Sequence, residues 1–560
     1  MISRVKIVLS IVAFSFLTAC GGDRSHSTSP SSLKPTDVSD KGNNSDQSSS
    51  SAWIPGEYPD WRHLADFCAN PIEGEIQGTV TDENAWIRSY SHDTYLWYRE
   101  LEDIDPASVS STEVYFNLMK TSAKTSQGRD KDEFHYYEDI RERSAQQAGY
   151  SNGYRTEFPE LNQHTAIPYV ETVSVNNKQL SAQQPGHSIG YGAEFLWINK
   201  QIIVAYVEAD SPASRQKLSR GAIITAIDGD SIAEIIEKDI YRLDAILLHP
   251  RLGESHTFEV KDWGASKTRH VTMKSGTYYA SPVKNHDVIV EIFGDGQKKI
   301  GYLTFNAHNE ISEQKLRAAL TEFLQEGIDE LVLDLRYNRG GIIKIAAQLG
   351  YMIAGDKSEG EIFAELQWND KHSIYEPVTQ HLMAPILFHP TENTSDQSAT
   401  DKGSLPSLNF NRVFVLAGKE TASASEALIN GLRGLPDFNV VLIGETTRGK
   451  PYGFHLMENC GIRYSTIQAR ILNARGFSDY ANGLVPVANA NVSGAEVTGC
   501  KVADDFSSSL GNPNEERFAA AISYINGGGC PESSISAIAD DGFILNRPDR
   551  FQGILIQDFE

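Results

Sequence analysis

Three short segments carry the residue types that nucleophilic hydrolysis needs: an oxygen nucleophile, a base, and donors aimed at an oxyanion. Residues 422–426 read Ala-Ser-Ala-Ser-Glu and follow an apolar run at 413–417. Their small side chains allow a sharp turn from a strand into a helix. Ser423 would then stand at a helix N-terminus, where the N–H of Ala424 and the helix dipole stabilise negative charge. The alternative is that Ser423 and Ser425 are helix caps, with Glu426 satisfying the first turn.

The other two segments could supply a second donor and the base. Residues 333–341 read Leu-Asp-Leu-Arg-Tyr-Asn-Arg-Gly-Gly, so a strand ends in Gly340 and Gly341, whose backbone can approach a substrate carbonyl. Residues 444–450 read Gly-Glu-Thr-Thr-Arg-Gly-Lys and place Lys450 on a glycine-flanked loop. If packing buries Lys450, desolvation favours its neutral amine, which is the form that acts as a base.

The elements around these segments indicate an α/β sheet with crossover connections, in a domain spanning 285–495. Strand-like runs alternate with helix-length segments, and a polar insertion at 355–408 interrupts them. The region 496–560 forms a C-terminal extension with one amphipathic helix at 515–524. The alternating segments are 301–305, 313–325, 331–335, 342–353, 413–417, 425–432 and 440–443.

Two further regions precede this domain. Residues 53–180 mix aromatic and charged residues at helical intervals, which predicts an N-terminal helical domain. Residues 187–277 alternate short β-branched runs with turn signals, which predicts a small β-rich domain. Within it, the consecutive residues Gly190, Tyr191, Gly192 and Ala193 precede a strand. Their amide groups could hold a peptide carboxylate while that strand pairs with the peptide backbone.

The β-rich region resembles the PDZ domains of bacterial proteases. The resemblance is carried by residues 207–213, Val-Glu-Ala-Asp-Ser-Pro-Ala, and by the glycine and isoleucine pattern of 218–229. It implies binding of C-terminal peptide ends. The three catalytic segments, in this order behind a PDZ-like domain, resemble the C-terminal processing, or tail-specific, proteases. The expected fold is therefore multidomain, α/β plus β: an N-terminal helical domain, a PDZ-like domain and an α/β protease domain.

This resemblance assigns roles to residues of the chain. Ser423 is the expected nucleophile and Lys450 its base, while the N–H groups of Ala424 and of the glycine pair, chiefly Gly340, bind the oxyanion.

Two departures from the family pattern follow. The interval from serine to lysine is longer than usual, which keeps Ser425 as a lesser candidate. Phe454 stands where a glutamine often follows the lysine, which leaves Asp437 and Glu445 as candidate supports for Lys450.

The overall charge excludes one class of partner. The chain has 74 acidic and 50 basic residues, a formal net charge of −24, which repels phosphate backbones and argues against nucleic acid. The histidines show no metal-ligand spacing, and the expected mechanism needs neither a metal nor another cofactor. The oligomeric state is left open.

The N-terminus has the pattern of a targeting segment. Residues 1–19 predict a signal peptide, with basic residues before an apolar run. Leu-Thr-Ala-Cys at 17–20 resembles a lipobox, which implies lipidation of Cys20 and a membrane anchor without a spanning helix. Residues 20–52 would form a disordered tether. These features indicate the bacterial envelope, facing the periplasm, and glycine after Cys20 favours the outer membrane. An ordinary cleaved signal is the alternative.

The remaining cysteines, Cys68, Cys460, Cys500 and Cys530, are even in number, which favours two disulfides. The sequence allows three pairings, and we expect Cys460 with Cys500 and Cys68 with Cys530.

The sequence therefore predicts an envelope serine endopeptidase that acts on protein or peptide tails. Two alternatives are a catalytically silent, PDZ-containing peptide-binding lipoprotein and a hydrolase of non-peptide esters or amides.

Overall fold

The computed structural model describes residues 53–72, 74–125, 128–140, 186–248, 250–293, 296–392, 403–488, 494–530 and 554–555. The described residues all lie in one compact unit, Ser50–Glu560. The predicted signal peptide (1–19), the lipidated Cys20 with its tether (20–52) and residues 141–180 of the predicted helical domain lie outside the described residues.

The described helices and strands are numbered in chain order. The helices are α1 (Val80–Thr94), α2 (Thr112–Leu118), α3 (Pro212–Arg215), α4 (Ile232–Leu247), α5 (Ser312–Glu326), α6 (Ile343–Ala354), α7 (Ala424–Gly434) and α8 (Glu516–Ile525). The first strands are β1 (Phe67–Cys68), β2 (Ile76–Gln77), β3 (Tyr136–Asp139), β4 (His187–Gly190), β5 (Ala193–Ile198), β6 (Gln201–Val207), β7 (Ile223–Ile227), β8 (Asp230–Ser231), β9 (Ser255–Lys261), β10 (Arg269–Lys274) and β11 (Gly276–Tyr279). The later strands are β12 (Val283–Phe293), β13 (Gly296–Phe305), β14 (Glu330–Asp334), β15 (Ile362–Gln367), β16 (Ile386–Leu387), β17 (Arg412–Ala417), β18 (Asn439–Gly444), β19 (Tyr452–Phe454), β20 (Met457–Asn459), β21 (Ile462–Ser465), β22 (Ala469–Leu472), β23 (Val485–Val487), β24 (Glu496–Lys501) and β25 (Ile554–Leu555).

The N-terminal region is built around α1 and α2. Helix α1 begins at a capping box in which the side chains of Thr79 and Asp82 satisfy backbone N–H groups reciprocally. Its buried face carries Trp86 and Tyr90, whose rings stack 4.9 Å apart. This core continues into the hairpin β20–β21, and β3 pairs with β21, so the N-terminal region packs against a segment that follows the predicted catalytic lysine.

The β-rich region is a small sheet covered by α4. Its strand order is β10-β9-β7-β6-β5, with β8 beside β7. Strand β5 is the last strand in this order and pairs with β6. The Gly190–Ala193 turn leads into this last strand.

The central sheet confirms the predicted α/β fold. Its order is β12-β13-β14-β17-β18-β24-β23, and every neighbouring pair from β13 to β23 is parallel. Helices α5, α6 and α7 cover one face and α8 the other, which explains why strand β14 is buried at all five positions. Because β24 and α8 belong to this layer structure, the sheet continues past the predicted boundary at 495.

The carboxyl ends of β14, β17 and β18 meet at one edge of this sheet, and the loops that follow them carry the three predicted catalytic segments. Ligands of open parallel sheets bind at this edge. The predicted polar insertion contributes β15 and β16 to a second sheet, of order β16-β15-β22-β19-β25.

The predicted disulfide pairing is wrong. The structure joins Cys68 to Cys460 and Cys500 to Cys530. Cys460 lies in the tight turn between β20 and β21, which packs on the N-terminal region that contains Cys68. Cys500 lies in β24, and α8 packs on the sheet and returns the chain to Cys530, so each cysteine is paired by its local packing.

Of the helices that the structure describes, none has the length and apolar character needed to cross a bilayer.

Candidate active site

Ser423 lies at a strained turn between β17 and α7. Its φ of 62° and ψ of −118° lie outside the regions that non-glycine residues prefer. The side chain is fully buried, and its Oγ has no hydrogen-bond partner among the described residues. The next residue, Ala424, opens helix α7, so its N–H has no intrahelical acceptor. The turn thus presents a hydroxyl and an amide donor side by side, as a nucleophile and an oxyanion site require.

Ser425 is positioned differently from Ser423. Its Oγ donates a hydrogen bond to the backbone oxygen of Asn338, at 3.0 Å, and the N–H of Ala422 donates to the same oxygen at 3.1 Å. Ser425 therefore joins the helix to the glycine loop, which leaves Ser423 as the better candidate nucleophile.

The glycine loop packs directly against the serine turn. A Cβ on Gly340 would lie 2.6 Å from the Ser423 Cβ and 2.8 Å from the Ala424 nitrogen. A Cβ on Gly341 would lie 2.1 Å from the backbone oxygen of His308. Both glycines also have φ values, 99° and 132°, that other residues rarely adopt. The two glycines are therefore required by close backbone approach.

Asn338 and His308 hold this loop in place. The N–H of Gly340 donates to the Asn338 Oδ1 at 2.9 Å, and the Asn338 Nδ2 donates to the backbone oxygen of Phe305. The same Oδ1 lies 3.1 Å from the His308 Nδ1, which must therefore carry a proton. Burial lowers the pKa of His308 to about 4, so its ring is neutral at pH 7. In this conformation the Gly340 N–H is engaged by Asn338, and its role as an oxyanion donor stays a prediction.

Lys450 is buried beside aromatic rings. Its side chain is 1% exposed, and its Nζ lies 4.3 Å from the ring centroid of Phe134 and 5.2 Å from that of Phe454. Phe454 occupies the position at which a glutamine was expected, and it contributes a ring face instead. Phe134 comes from the N-terminal region, so the surroundings of Lys450 are built from two distant parts of the chain.

Glu426 ties the serine turn to the lysine loop. Its fully buried carboxylate accepts hydrogen bonds from the N–H of Ser423 at 2.9 Å, from the N–H groups of Gly449 and Lys450 at 2.8 Å each, and from the hydroxyl of Thr447. The Ser423 and Lys450 nitrogens bind the same oxygen, Oε2, so they lie within two hydrogen-bond lengths of each other. Burial raises the pKa of Glu426 above its ordinary value, and the four hydrogen bonds oppose that rise.

Sequence reasoning considered Glu426 only as part of a helix cap. Two signals could have indicated more: its place three residues after Ser423, and the Thr447 and Gly449 donors before Lys450. The two residues expected to support Lys450 make other contacts or lie at the surface. Glu445 accepts a hydrogen bond from Arg517 at 2.6 Å, and Asp437 lies on an exposed turn.

The predicted peptide-binding turn contains Gly190, Tyr191, Gly192 and Ala193. A Cβ on Gly192 would lie 2.3 Å from the Ser211 Cβ, and the backbone oxygen of Tyr191 accepts a hydrogen bond from the N–H of Ala213. The turn is thus fixed by the segment that begins α3. Its binding of a carboxylate stays a prediction.

The PDZ-like region also contacts the glycine loop. Arg220 donates to the hydroxyl of Tyr337, and Glu194 of β5 pairs with Arg339 at 3.2 Å. Tyr337 and Arg339 flank Asn338, so the edge strand of one region lies next to the loop that packs on Ser423.

The fold and the geometry of the site can be compared with those of known proteins. A solved structure from Bacteroides fragilis, assigned to the S41 proteases, superposes with a TM-score of 0.52 at 22% identity, covering 79% of this chain and 97% of that one.

Residues 299–468 match the model of Peptidase family S41, and the chain contains a domain of this family. It is 26% identical over 239 residues to the chloroplastic carboxyl-terminal-processing peptidase 2 of Arabidopsis thaliana, covering 43% of this chain and 40% of the relative. It is 25% identical over 240 residues to a carboxyl-terminal-processing protease of Picosynechococcus, covering 43% of this chain and 48% of the relative. These matches span less than half of each relative.

Proposed function

We propose that the protein is an envelope serine endopeptidase of the C-terminal processing type, with Ser423 as nucleophile and Lys450 as base. The observation that carries this proposal is the Glu426 carboxylate, which binds the backbone of both residues and so couples the two loops. The strained backbone of Ser423 and the burial of Lys450 support it.

The reaction would proceed by acyl transfer. The neutral amine of Lys450 takes the proton of the Ser423 hydroxyl while Oγ attacks the scissile carbonyl carbon. The oxyanion accepts hydrogen bonds from the N–H of Ala424 and from the Gly340–Gly341 backbone. The Lys450 ammonium then gives its proton to the leaving amine, and water hydrolyses the acyl-enzyme with Lys450 again acting as base. None of these steps assigns a role to a metal.

Substrate recruitment is the second part of the proposal. The Gly190–Ala193 turn would hold a peptide C-terminus while the peptide backbone pairs with the edge of β5. The contacts of Glu194 with Arg339 and of Arg220 with Tyr337 support this proposal, because they join the PDZ-like region to the glycine loop.

The test is turnover of a quenched-fluorescent peptide library by the full chain. We expect Ser423→Ala and Lys450→Ala each to lower kcat/KM by about 10³-fold or more, with unchanged thermal unfolding. The matched controls Ser404→Ala and Lys357→Ala change exposed residues and should retain full activity. Full activity of both dyad variants would refute the assignment. Peptide binding without turnover by the wild type would identify a silent binding protein instead, and turnover of esters but not peptides would identify a non-peptide hydrolase.

We also propose that Cys20 is lipidated and anchors the protein in the cell envelope, facing the periplasm and favouring the outer membrane. Metabolic labelling with an alkyne fatty acid tests this. The wild type should be labelled and should fractionate with membranes, and Cys20→Ser should lose both properties. An unlabelled wild type would instead support an ordinary cleaved signal.

A further inference from the structure

Strand β19 lies between two very different neighbours. It begins two residues after Lys450 and pairs on one side with β22, with Tyr452 opposite Arg470 and Gly453 opposite Ala469. On its other side it pairs in parallel with β25, with Gly453 opposite Ile554 and Phe454 opposite Leu555. Strand β25 is the outermost strand of this sheet and comes from far along the chain. Without β25, this side of β19 would have no strand partner among the described residues. The strand begins two residues after the proposed base, Lys450.

Such an edge is suited to binding an extended peptide. Unpaired N–H and C=O groups of an edge strand recruit a further strand, whatever its sequence. Gly453 carries no side chain, which lets a neighbouring backbone approach closely. An extended chain advances about 3.3 Å per residue, so Gly453 stands roughly 10 Å along the strand from Lys450. The ring of Phe454 lies 5.2 Å from the Lys450 Nζ, so a peptide paired with β19 would run beside the dyad.

We propose that the outer edge of β19 is a docking strand for the extended backbone of a peptide substrate, and that β25 occupies it in cis as a pseudosubstrate. The inference rests on the proposed peptidase function and adds a docking site and an occupant to it. The occupant is a segment of this chain: residues 553–556 read Gly-Ile-Leu-Ile, a composition that favours strands.

The parallel register gives the docked peptide a direction. The chain of β25 runs the same way as β19, which leads away from Lys450. In a substrate docked with this polarity, the peptide bond nearest to Lys450 precedes the paired residues. The paired residues would therefore leave with the C-terminal fragment, and the strand would select extended, uncharged segments downstream of the cleaved bond.

The first arm of the experiment measures binding and does not depend on catalysis. A fluorescein-labelled peptide of residues 548–560 is titrated into two Ser423→Ala proteins, the full chain and a variant lacking residues 546–560. We expect binding to the shortened protein and at least about tenfold weaker binding to the full chain, because a tethered strand competes at high effective concentration. The same peptide with Ile554→Pro and Leu555→Pro, which removes two backbone donors, should not bind.

Amide hydrogen exchange locates the bound peptide. The segment 452–454 should exchange slowly in the full chain, faster in the shortened protein, and slowly again when the peptide is added. Protection that appears at β5 instead would show that the peptide docks on the PDZ-like region and would overturn the proposal. Equal binding to both proteins, or binding to neither, would overturn it as well.

The second arm measures activity in the full chain. Ile554→Pro/Leu555→Pro should raise kcat/KM for a quenched-fluorescent peptide several-fold, while the control Ser533→Pro/Ser534→Pro, in the same tail but outside β25, should not. An unchanged kcat/KM in the first variant would contradict inhibition by β25. If Ser423→Ala retained full hydrolysis, the proposed function would fail, whereas the binding and exchange results would still decide the docking strand.

Discussion

Two buried carboxylate networks hold the loops of the active-site edge, and they use opposite kinds of donor. Glu426 accepts four hydrogen bonds from neutral groups, three backbone N–H groups and one hydroxyl. At the end of β14, Arg336 instead donates to three carboxylates, those of Asp334, Asp504 and Glu515, at 2.7–3.0 Å. Both networks are buried, and the second brings cations and anions together.

The difference shows in the pKa of the acids. Burial raises the pKa of Glu426 above its ordinary value. Burial alone would also raise the pKa of Asp504, but the charges of Arg517, Arg336 and Arg220 hold it well below its usual range. The Arg336 network therefore anchors α8 and the PDZ-like region to the sheet with paired charge. The Glu426 network joins the Ser423 turn to the Lys450 loop through neutral donors.

The largest effect on stability is expected for Arg336→Ala. The change leaves three buried carboxylates without their shared partner, which should lower the free energy of unfolding by about 3–5 kcal/mol. The control is Lys124→Ala, which removes an exposed pair with Asp130 and should cost less than about 1 kcal/mol. Urea denaturation followed by tryptophan fluorescence measures both. Equal losses would mean that burial of the Arg336 network does not distinguish it from a surface pair.

Glu426→Gln should lower both stability and activity. Each oxygen of the Glu426 carboxylate accepts two hydrogen bonds. In glutamine one of these oxygens becomes an NH₂ group, which is itself a donor and cannot accept the two hydrogen bonds. We expect a loss of about 1–3 kcal/mol of stability together with a fall in kcat of roughly 10²-fold, because the Ser423 and Lys450 loops lose their common acceptor.

Thr447→Val and Thr447→Ser give the matched pair for this network. Valine removes one donor to Glu426, whereas serine keeps the hydroxyl and should restore most of the activity. A Glu426→Gln variant that lost stability with unchanged kcat would show that the network is structural only.

The pH dependence of stability should have opposite signs in the two networks. Asp504 has a lowered pKa, so its contribution is present above pH 3.8 and is lost as the pH falls towards its folded-state pKa. Glu426 has a raised pKa, so its contribution is present below pH 4.5 and is lost as the pH rises through its folded-state pKa. Below pH 3.8, the free energy of unfolding of Asp504→Asn should therefore vary less with pH than that of the wild type. Above pH 4.5, the free energy of unfolding of Glu426→Gln should vary less with pH than that of the wild type. Parallel curves for all three proteins would contradict this assignment.

The sequence predicted the sheet that carries both networks but not the contacts within them. The alternation of apolar runs predicted an α/β sheet with crossover connections, and in the structure the Ser423, Gly340 and Lys450 segments follow its strands β17, β14 and β18. The network of Arg336 with Asp504 and Glu515 joins residues far apart in the chain, and local patterns carry no signal for such a pairing. The disulfides were mispaired for the same reason, since the turn at Cys460 packs on the N-terminal region only in the folded chain. Phe134 was missed because nothing near it in sequence indicates Lys450.

Phe134→Leu is expected to have the smallest effect and tests the aromatic side of the lysine. Removing the ring 4.3 Å from the Lys450 Nζ takes away a contact that favours the ammonium form, worth about 1 kcal/mol. The acid limb of the kcat/KM profile should therefore move to lower pH, with kcat at high pH little changed. Phe134→Tyr keeps a ring face and should retain the wild-type profile. A loss of kcat at every pH, with no movement of the acid limb, would show that Phe134 only packs the N-terminal region against the loop. Because Glu426 holds the backbone of Lys450 and Phe134 contacts its amine, Glu426→Gln and Phe134→Leu should differ: the first lowers kcat and the second shifts the profile.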